Sequence, residues 1–321
     1  MSRTPDPPPS VRPPRHLRFR ATIALSVAIV CWASVPLFLK HFSTALDAWT
    51  VNAYRYAVAA ALHAPWMLCA HCRGRAPRHL WRRALLPTFF NIVSQNLWTW
   101  APYFIDPGLM SFLARGSIIW SVTGSFLLFP DERPAIKSRQ FAVGLALAAA
   151  GYAGLMAQQG GIPHGAALCG IVIMVACGLF TAGYNLSVRK VISDVDPRLA
   201  FAAIAAYTSA SAQVLMLLFG RPRRLLAMNW SAWTLLSVSA VLGLGIAQVA
   251  YYIAINHLGV AICSSSMLMA SFLTTLASRA LFGERFTAGQ WLAGLLLVSG
   301  GIGIIRSGRH LGRRELARGF T

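Results

Sequence analysis

The chain has 321 residues, of which 56% are hydrophobic and only 12% charged. Soluble domains carry roughly 25% charged residues, and the apolar runs here leave no stretch for a soluble catalytic domain. The net charge of +20 invites a nucleic-acid reading, but the basic residues gather in alternate links between apolar runs, which speaks for a membrane instead.

A bilayer core about 30 Å thick needs roughly 20 mostly apolar residues per helix. Residues 1–20, "MSRTPDPPPSVRPPRHLRFR", are basic and Pro-rich and read as a disordered tail. Ten apolar runs follow, at about 21–40, 48–70, 84–104, 109–129, 138–157, 166–187, 199–219, 232–255, 261–282 and 288–306. A second basic tail occupies 307–321. The first run lacks a clear small-residue cleavage site, so it is expected to stay as an anchor. The expected fold is an all-α polytopic membrane protein.

The charges orient it. The tails and the links after spans 2, 4 and 6 hold most of the 29 Lys and Arg. The exceptions are Lys40, Arg221, Arg223, Arg224, Arg279 and Arg285 in the other links or at the span ends beside them, and Arg55 and Arg115 well inside spans. The positive-inside rule then puts both termini in the cytoplasm.

The sequence repeats itself. "LFPDERPAIKSRQFAVGLALAAAGYAGLM" (128–156) matches "LFGERFTAGQWLAGLLLVSGGIGII" (281–305), aligning Glu132 with Glu284, Gly144 with Gly294 and Gly151 with Gly301. Upstream, Lys40 aligns with Arg189, Asp47 with Asp196, Gln95 with Gln248 and, more weakly, Trp98 with Tyr251. Two five-span repeats result, at 21–157 and 165–306. Five is odd, so the second repeat enters the membrane from the opposite side. Inverted repeats are the architecture of many secondary transporters, whose substrate site lies near the midplane between the halves.

Candidate ligand residues follow from polarity within spans. Trp32 in span 1 and Tyr184 with Asn185 in span 6 hold comparable places in the two halves. Asn91, Gln95 and Trp98 in span 3 share one helical face, as do Gln248, Tyr252 and Asn256 in span 8. The alternative role for these amides is to tie helices together. Arg115 stands near the middle of span 4, where a charge costs roughly 2.5–3.5 kcal/mol on insertion scales. Either it recognises an anionic group, for which its planar fork is suited, or it binds backbone carbonyls. Its repeat mates, Ser266 and Met267, are uncharged. Glu132 and Glu284 are expected to cap helix starts or pair with Arg133, Arg139 or Arg285. The glycines of spans 5 and 10 allow close helix approach, within the fold or at a homodimer contact. "CAHC" at 69–72 lacks a second Cys pair, so no metal is expected. No catalytic motif, and hence no cofactor or enzymatic role, is expected.

"VCWASVPLFLK…DAWTVNAYRYAVAAAL" and "NHLGVAICSSSMLMASFLTTLASRALFGERFTAGQWLAGLLLVSGGIGII" resemble the two ends of an EamA-like repeat pair of the drug/metabolite transporter superfamily. The resemblance covers about residues 21–306. It implies a ten-helix permease of the bacterial inner membrane, often an exporter of amino acids, metabolites or drugs. It also implies a cavity lined by spans 1–4 and 6–9, and gives Arg55 a cavity-side or gating role. The other reading of Arg55 is an interfacial anchor paired with Asp47 or Asp106. The chain departs from the family at spans 4 and 9, where Ile118 or Ile119 and Ser271 stand near the usual proline. The expectation is a secondary carrier that exports a small polar molecule. An uptake carrier of the same fold and a membrane scaffold or sensor are the alternatives. Proton coupling, exchange and facilitated diffusion stay open.

Overall fold

The computed structural model describes residues 15–75, 77, 79–105, 110, 113–157, 166–282 and 287–318, and the regular structure among them is helical. The helices are α1 (Arg15–Phe42), α2 (Ala48–Cys72), α3 (Leu80–Trp100), α4 (Ser117–Leu128), α5 (Arg139–Ala157), α6 (Ala166–Ile192) and α7 (Pro197–Phe219). They continue with α8 (Trp230–Leu258), α9 in two pieces (Val260–Ser266 and Leu268–Phe282) and α10 (Ala288–Arg318). Stretches within α1, α6, α7 and α8 are each long and apolar enough to cross a bilayer unaided. Large apolar side chains such as Val30, Leu68, Phe89, Leu127, Val172, Leu217 and Leu295 point outward, while Asn52, Asn91, Ser121 and Gln248 are buried. That polarity suits a lipid surround, where backbone bonds must close within helices.

Capping explains several starts. Asp47 accepts the Thr50 N–H at 2.9 Å and the Thr50 hydroxyl at 2.8 Å at the head of α2. Its repeat mate Asp196 accepts the Arg198 N–H at 2.8 Å at the head of α7, where Pro197 has no N–H to satisfy. Asn229 does the same for α8 through the Ala232 N–H.

The packing carries the symmetry that the repeat predicts. The contact of α1 with α8 mirrors that of α6 with α3, and α1 with α9 mirrors α6 with α4. The pairs α2–α7, α4–α9 and α5–α10 map onto themselves. The pairs α2–α7, α3–α6, α4–α9 and α5–α10 run antiparallel. The Arg221 N–H, just past α7, donates to Asp47 before α2. Arg83, early in α3, donates to the Val191 carbonyl at the end of α6 at 2.6 Å. In α5–α10 the backbones nearly touch, because Gly144, early in α5, lies against Gly300 and Ile304, late in α10. The two halves therefore cross the membrane in opposite senses.

Glu132 joins the halves at the α4–α9 corner. Its two oxygens accept the Val260 and Ala261 N–H groups at 2.9 and 2.8 Å, and it forms an ion pair with Arg189 of α6. Arg189 also pairs with Asp131 and lies 4.5 Å from the Phe129 ring centroid. Gly259 has φ +89°, and a Cβ there would sit 2.7 Å from the Glu132 carboxyl carbon, so only glycine suits both the turn and the carboxylate. Glu132 thus caps a helix, as expected, but the helix belongs to the other repeat and the partner is Arg189. Arg133 instead donates to the carbonyls of Phe126 and Leu127. Glu284 lies outside the described residues.

Three boundaries differ from the sequence expectation. α1 starts at Arg15, inside the expected tail, and α10 continues to Arg318 across the expected second tail. In span 4, Met110 and Leu113 are helical, and a 3-10 turn at Ala114–Gly116 interrupts the span before the helix that starts at Ser117.

Candidate functional site

A cavity lies between the halves, lined from α1, α2, α3, α4, α6, α8 and α9. Its volume is about 110 Å³, where roughly 10–15 Å³ on this measure holds one water. It is large enough for a small metabolite and its waters.

Discontinuous backbone borders it on three sides. In α4 the 3-10 turn precedes the helix, and Ala114 and Ser117 line the cavity. In α9 the helix breaks at Met267, and Ser264 and Met267 line the cavity. These breaks fall at repeat-related positions, since Arg115 matches Ser266 and Met267. No proline makes them. Hydroxyls take up backbone carbonyls instead, with Ser117 donating to Ala114 O and Ser266 to Ile262 O, both at 2.7 Å. In α8 a wide π turn spans Val241–Ile246. Gly243 in that turn offers its carbonyl to the Trp32 indole N–H at 2.8 Å. Single π turns cluster at functional sites, and broken helices around a midplane cavity are characteristic of carriers.

Of the residues singled out from sequence, Trp32, Arg55, Gln95, Trp98, Tyr184, Asn185 and Gln248 line the cavity. The repeat pair Gln95 and Gln248 meets there, as does the pair Trp98 and Tyr251. Trp32 and Tyr251 pack ring to ring with centroids 4.8 Å apart. Arg55 is 1% exposed, and its Nε and Nη1 find no hydrogen-bond partner among the described residues. Asp47, one candidate partner, is engaged with Thr50 and Arg221, and Asp106 lies outside the described residues. The backbone of Arg115 sits in the 3-10 turn between lining residues, while its side chain lies outside the described part.

Three candidates stand away from the cavity lining. Asn91 is buried between helices, donating to the Tyr56 hydroxyl at 2.9 Å and to Thr208 at 3.0 Å, and so ties α3 to α2 and α7. Tyr252 stands behind Tyr184, hydroxyl to hydroxyl. Asn256 donates to the Ser193 carbonyl at 3.1 Å. The reason is geometric. Four helical residues advance about 6 Å along the axis, so Asn91, a turn before Gln95, and Asn256, two turns after Gln248, stand at other depths than the cavity, while Tyr251 rather than Tyr252 faces it.

Sequence pattern misses several lining residues. Ser94, Thr181 and Ser264 are small hydroxyl residues with no distinguishing pattern. Tyr251 carries a signal, its alignment with Trp98, but helical phase favours Tyr252 beside it. No Asp, Glu, His or Lys lines the cavity among the described residues.

The sequence model described as the EamA-like transporter family matches the chain twice, at residues 20–157 and 168–306. Those bounds fall close to the two repeats read from internal similarity. A solved structure titled only "Crystal structure of protein" shares the fold at a TM-score of 0.70 and 20% identity, over 92% of this chain and 98% of that one. A search of curated proteins gives no match.

Proposed function

This chain belongs to the EamA-like transporter family, and from that premise we propose that it is a secondary carrier working by alternating access around the central cavity. It moves a small polar metabolite, amino acid or drug-like compound out of the cell. The observation that supports this most is the pairing of backbone breaks in α4 and α9 at repeat-related positions, both lining one cavity between inverted halves. Rocking one half against the other would expose that cavity to each side in turn, while backbone groups freed by the breaks bind ligand or water.

The substrate contacts in this reading are Trp32, Arg55, Gln95, Trp98, Tyr184, Asn185 and Gln248 at the cavity wall, with Arg115 on the turn that borders it. Asn91, Tyr252 and Asn256 support these from behind. The protein sits in a bacterial inner membrane with both termini cytoplasmic, in keeping with the bias of Lys and Arg toward the tails and even-numbered links.

Comparing metabolites in the medium of overexpressing and deletion strains tests this reading. One or more small polar compounds should accumulate outside with overexpression and decline with deletion. Identical media would remove export, and accumulation in the reverse sense would favour uptake.

A further inference from the structure

Two buried polar groups in the cavity wall lack partners, and they ask for opposite things. Arg55 is 1% exposed, and its Nε and Nη1 have no acceptor among the described residues. Gln248 is 3% exposed, and its Oε1 has no donor among the described residues. Leaving such groups unpaired in a protein interior is unfavourable, and side chains held in that state beside a cavity point to a ligand that completes them. The Arg55 guanidinium lies against Gly243 of the π turn. A Cβ added at Gly243 would meet its Nη2 at 2.8 Å, so the bare glycine of the π turn gives it room. Gln248 follows Gly243 by five residues on α8, a step on the order of 7 Å along the helix axis from the glycine that the guanidinium lies against. With no carboxylate in the lining among the described residues, nothing there neutralises the guanidinium. Aromatic walls at Trp32 and Trp98 stand beside these groups.

We infer that the cavity takes a small organic anion, with a carboxylate or similar oxyanion against Arg55 and a hydroxyl or N–H donor at its other end against Gln248. This rests on the carrier reading for its location and adds the substrate class. The planar guanidinium offers a carboxylate two parallel hydrogen bonds. The amide of Gln248 accepts from the donor and sets the ligand's length. A neutral amide in place of the carboxylate would leave the buried cation unmatched.

The test uses the purified full chain in detergent and three probes: 4-hydroxyphenylacetate, phenylacetate and 4-hydroxyphenylacetamide. Binding is read from ligand-induced thermal stabilisation and tryptophan fluorescence. The hydroxy acid should bind tightest. Turning its carboxylate into an amide should weaken binding roughly tenfold or more, the scale of a lost hydrogen bond to a charged group, and removing its hydroxyl should weaken it about threefold to tenfold, the scale of a neutral one. Arg55→Gln should erase the preference for acid over amide, and Gln248→Leu should erase the preference for the hydroxyl. Arg55→Lys, which keeps the charge but not the fork, should retain part of the acid preference and shows that loss in Arg55→Gln is not misfolding. The inference is overturned if the amide binds the wild type as well as the acid does, if none of the three binds, or if Arg55→Gln keeps the acid preference. Transport is read separately. Neutral compounds that exchange across vesicles would keep the carrier reading and sink this one, and anions that bind without moving would do the reverse.

Discussion

Replacing Glu132 perturbs the contact that joins the two repeats at the α4–α9 corner. The carboxylate is 5% exposed and accepts two backbone N–H groups at 2.9 and 2.8 Å while paired with Arg189. An ordinary helix cap replaced by alanine costs about 0.5–2 kcal/mol. Here the loss also strands a mostly buried guanidinium, and removing one partner of a buried pair costs about 3–5 kcal/mol. Asp131 still faces Arg189, which holds the expected cost of Glu132→Ala to the lower part of that range, about 3 kcal/mol. Glu132→Gln keeps one acceptor oxygen and should cost about half as much. Asp194→Asn is the control. Its carboxylate is 67% exposed in a surface pair with Arg83, and exposed pairs are worth about 0–1 kcal/mol. Unfolding in mixed micelles titrated with a denaturing detergent measures all three. If Glu132→Ala unfolds within about 0.5 kcal/mol of the wild type, the corner is not the joint described, and the order Ala, Gln, control would have no basis.

Other substitutions probe the scaffold and the cavity. At Gly300 a Cβ would lie 2.4 Å from the Ala148 nitrogen and 2.5 Å from the Gly144 oxygen, both backbone, whereas at Gly303 the nearest atom is 3.4 Å away. Gly300→Ala should therefore destabilise by about 3 kcal/mol and Gly303→Ala by under about 1 kcal/mol, read in the same micelle titration. Arg55→Met should stabilise the ligand-free protein by about 1–2 kcal/mol, since it keeps the apolar stem and removes an unmatched buried cation. Destabilisation would mean instead that Arg55 ties helices together. Arg115→Gln should abolish transport with normal membrane insertion, checked by flux and by surface labelling; undiminished flux would remove Arg115 from the site.

The sequence made the symmetry legible because the repeat survives at positions where backbone geometry limits the choice of residue. Asp47 and Asp196 both cap helices, and Glu132 requires Gly259 beside it. Helix number and the inversion followed from those positions and from hydropathy. The breaks in α4 and α9 were not legible. Without proline they depend on serine hydroxyls and on the opposite half, which local pattern does not reveal. The π turn of α8 is equally silent, since its reason is Trp32 and Arg55 packing from other helices against Gly243. Asn91 shows the limit at the site. Its helical face is that of Gln95, yet Tyr56 and Thr208 claim it, and only the tertiary structure says which amides meet ligand and which meet protein.

Liposomes carrying the purified protein, loaded with a whole-cell extract of small metabolites and followed by mass spectrometry, test the carrier claim whatever the substrate is. At least one small polar compound should drain from vesicles holding the wild type. It should stay in vesicles holding a Trp98→Ala variant with an altered cavity wall. Contents that remain the same in both would contradict a carrier with its site in this cavity.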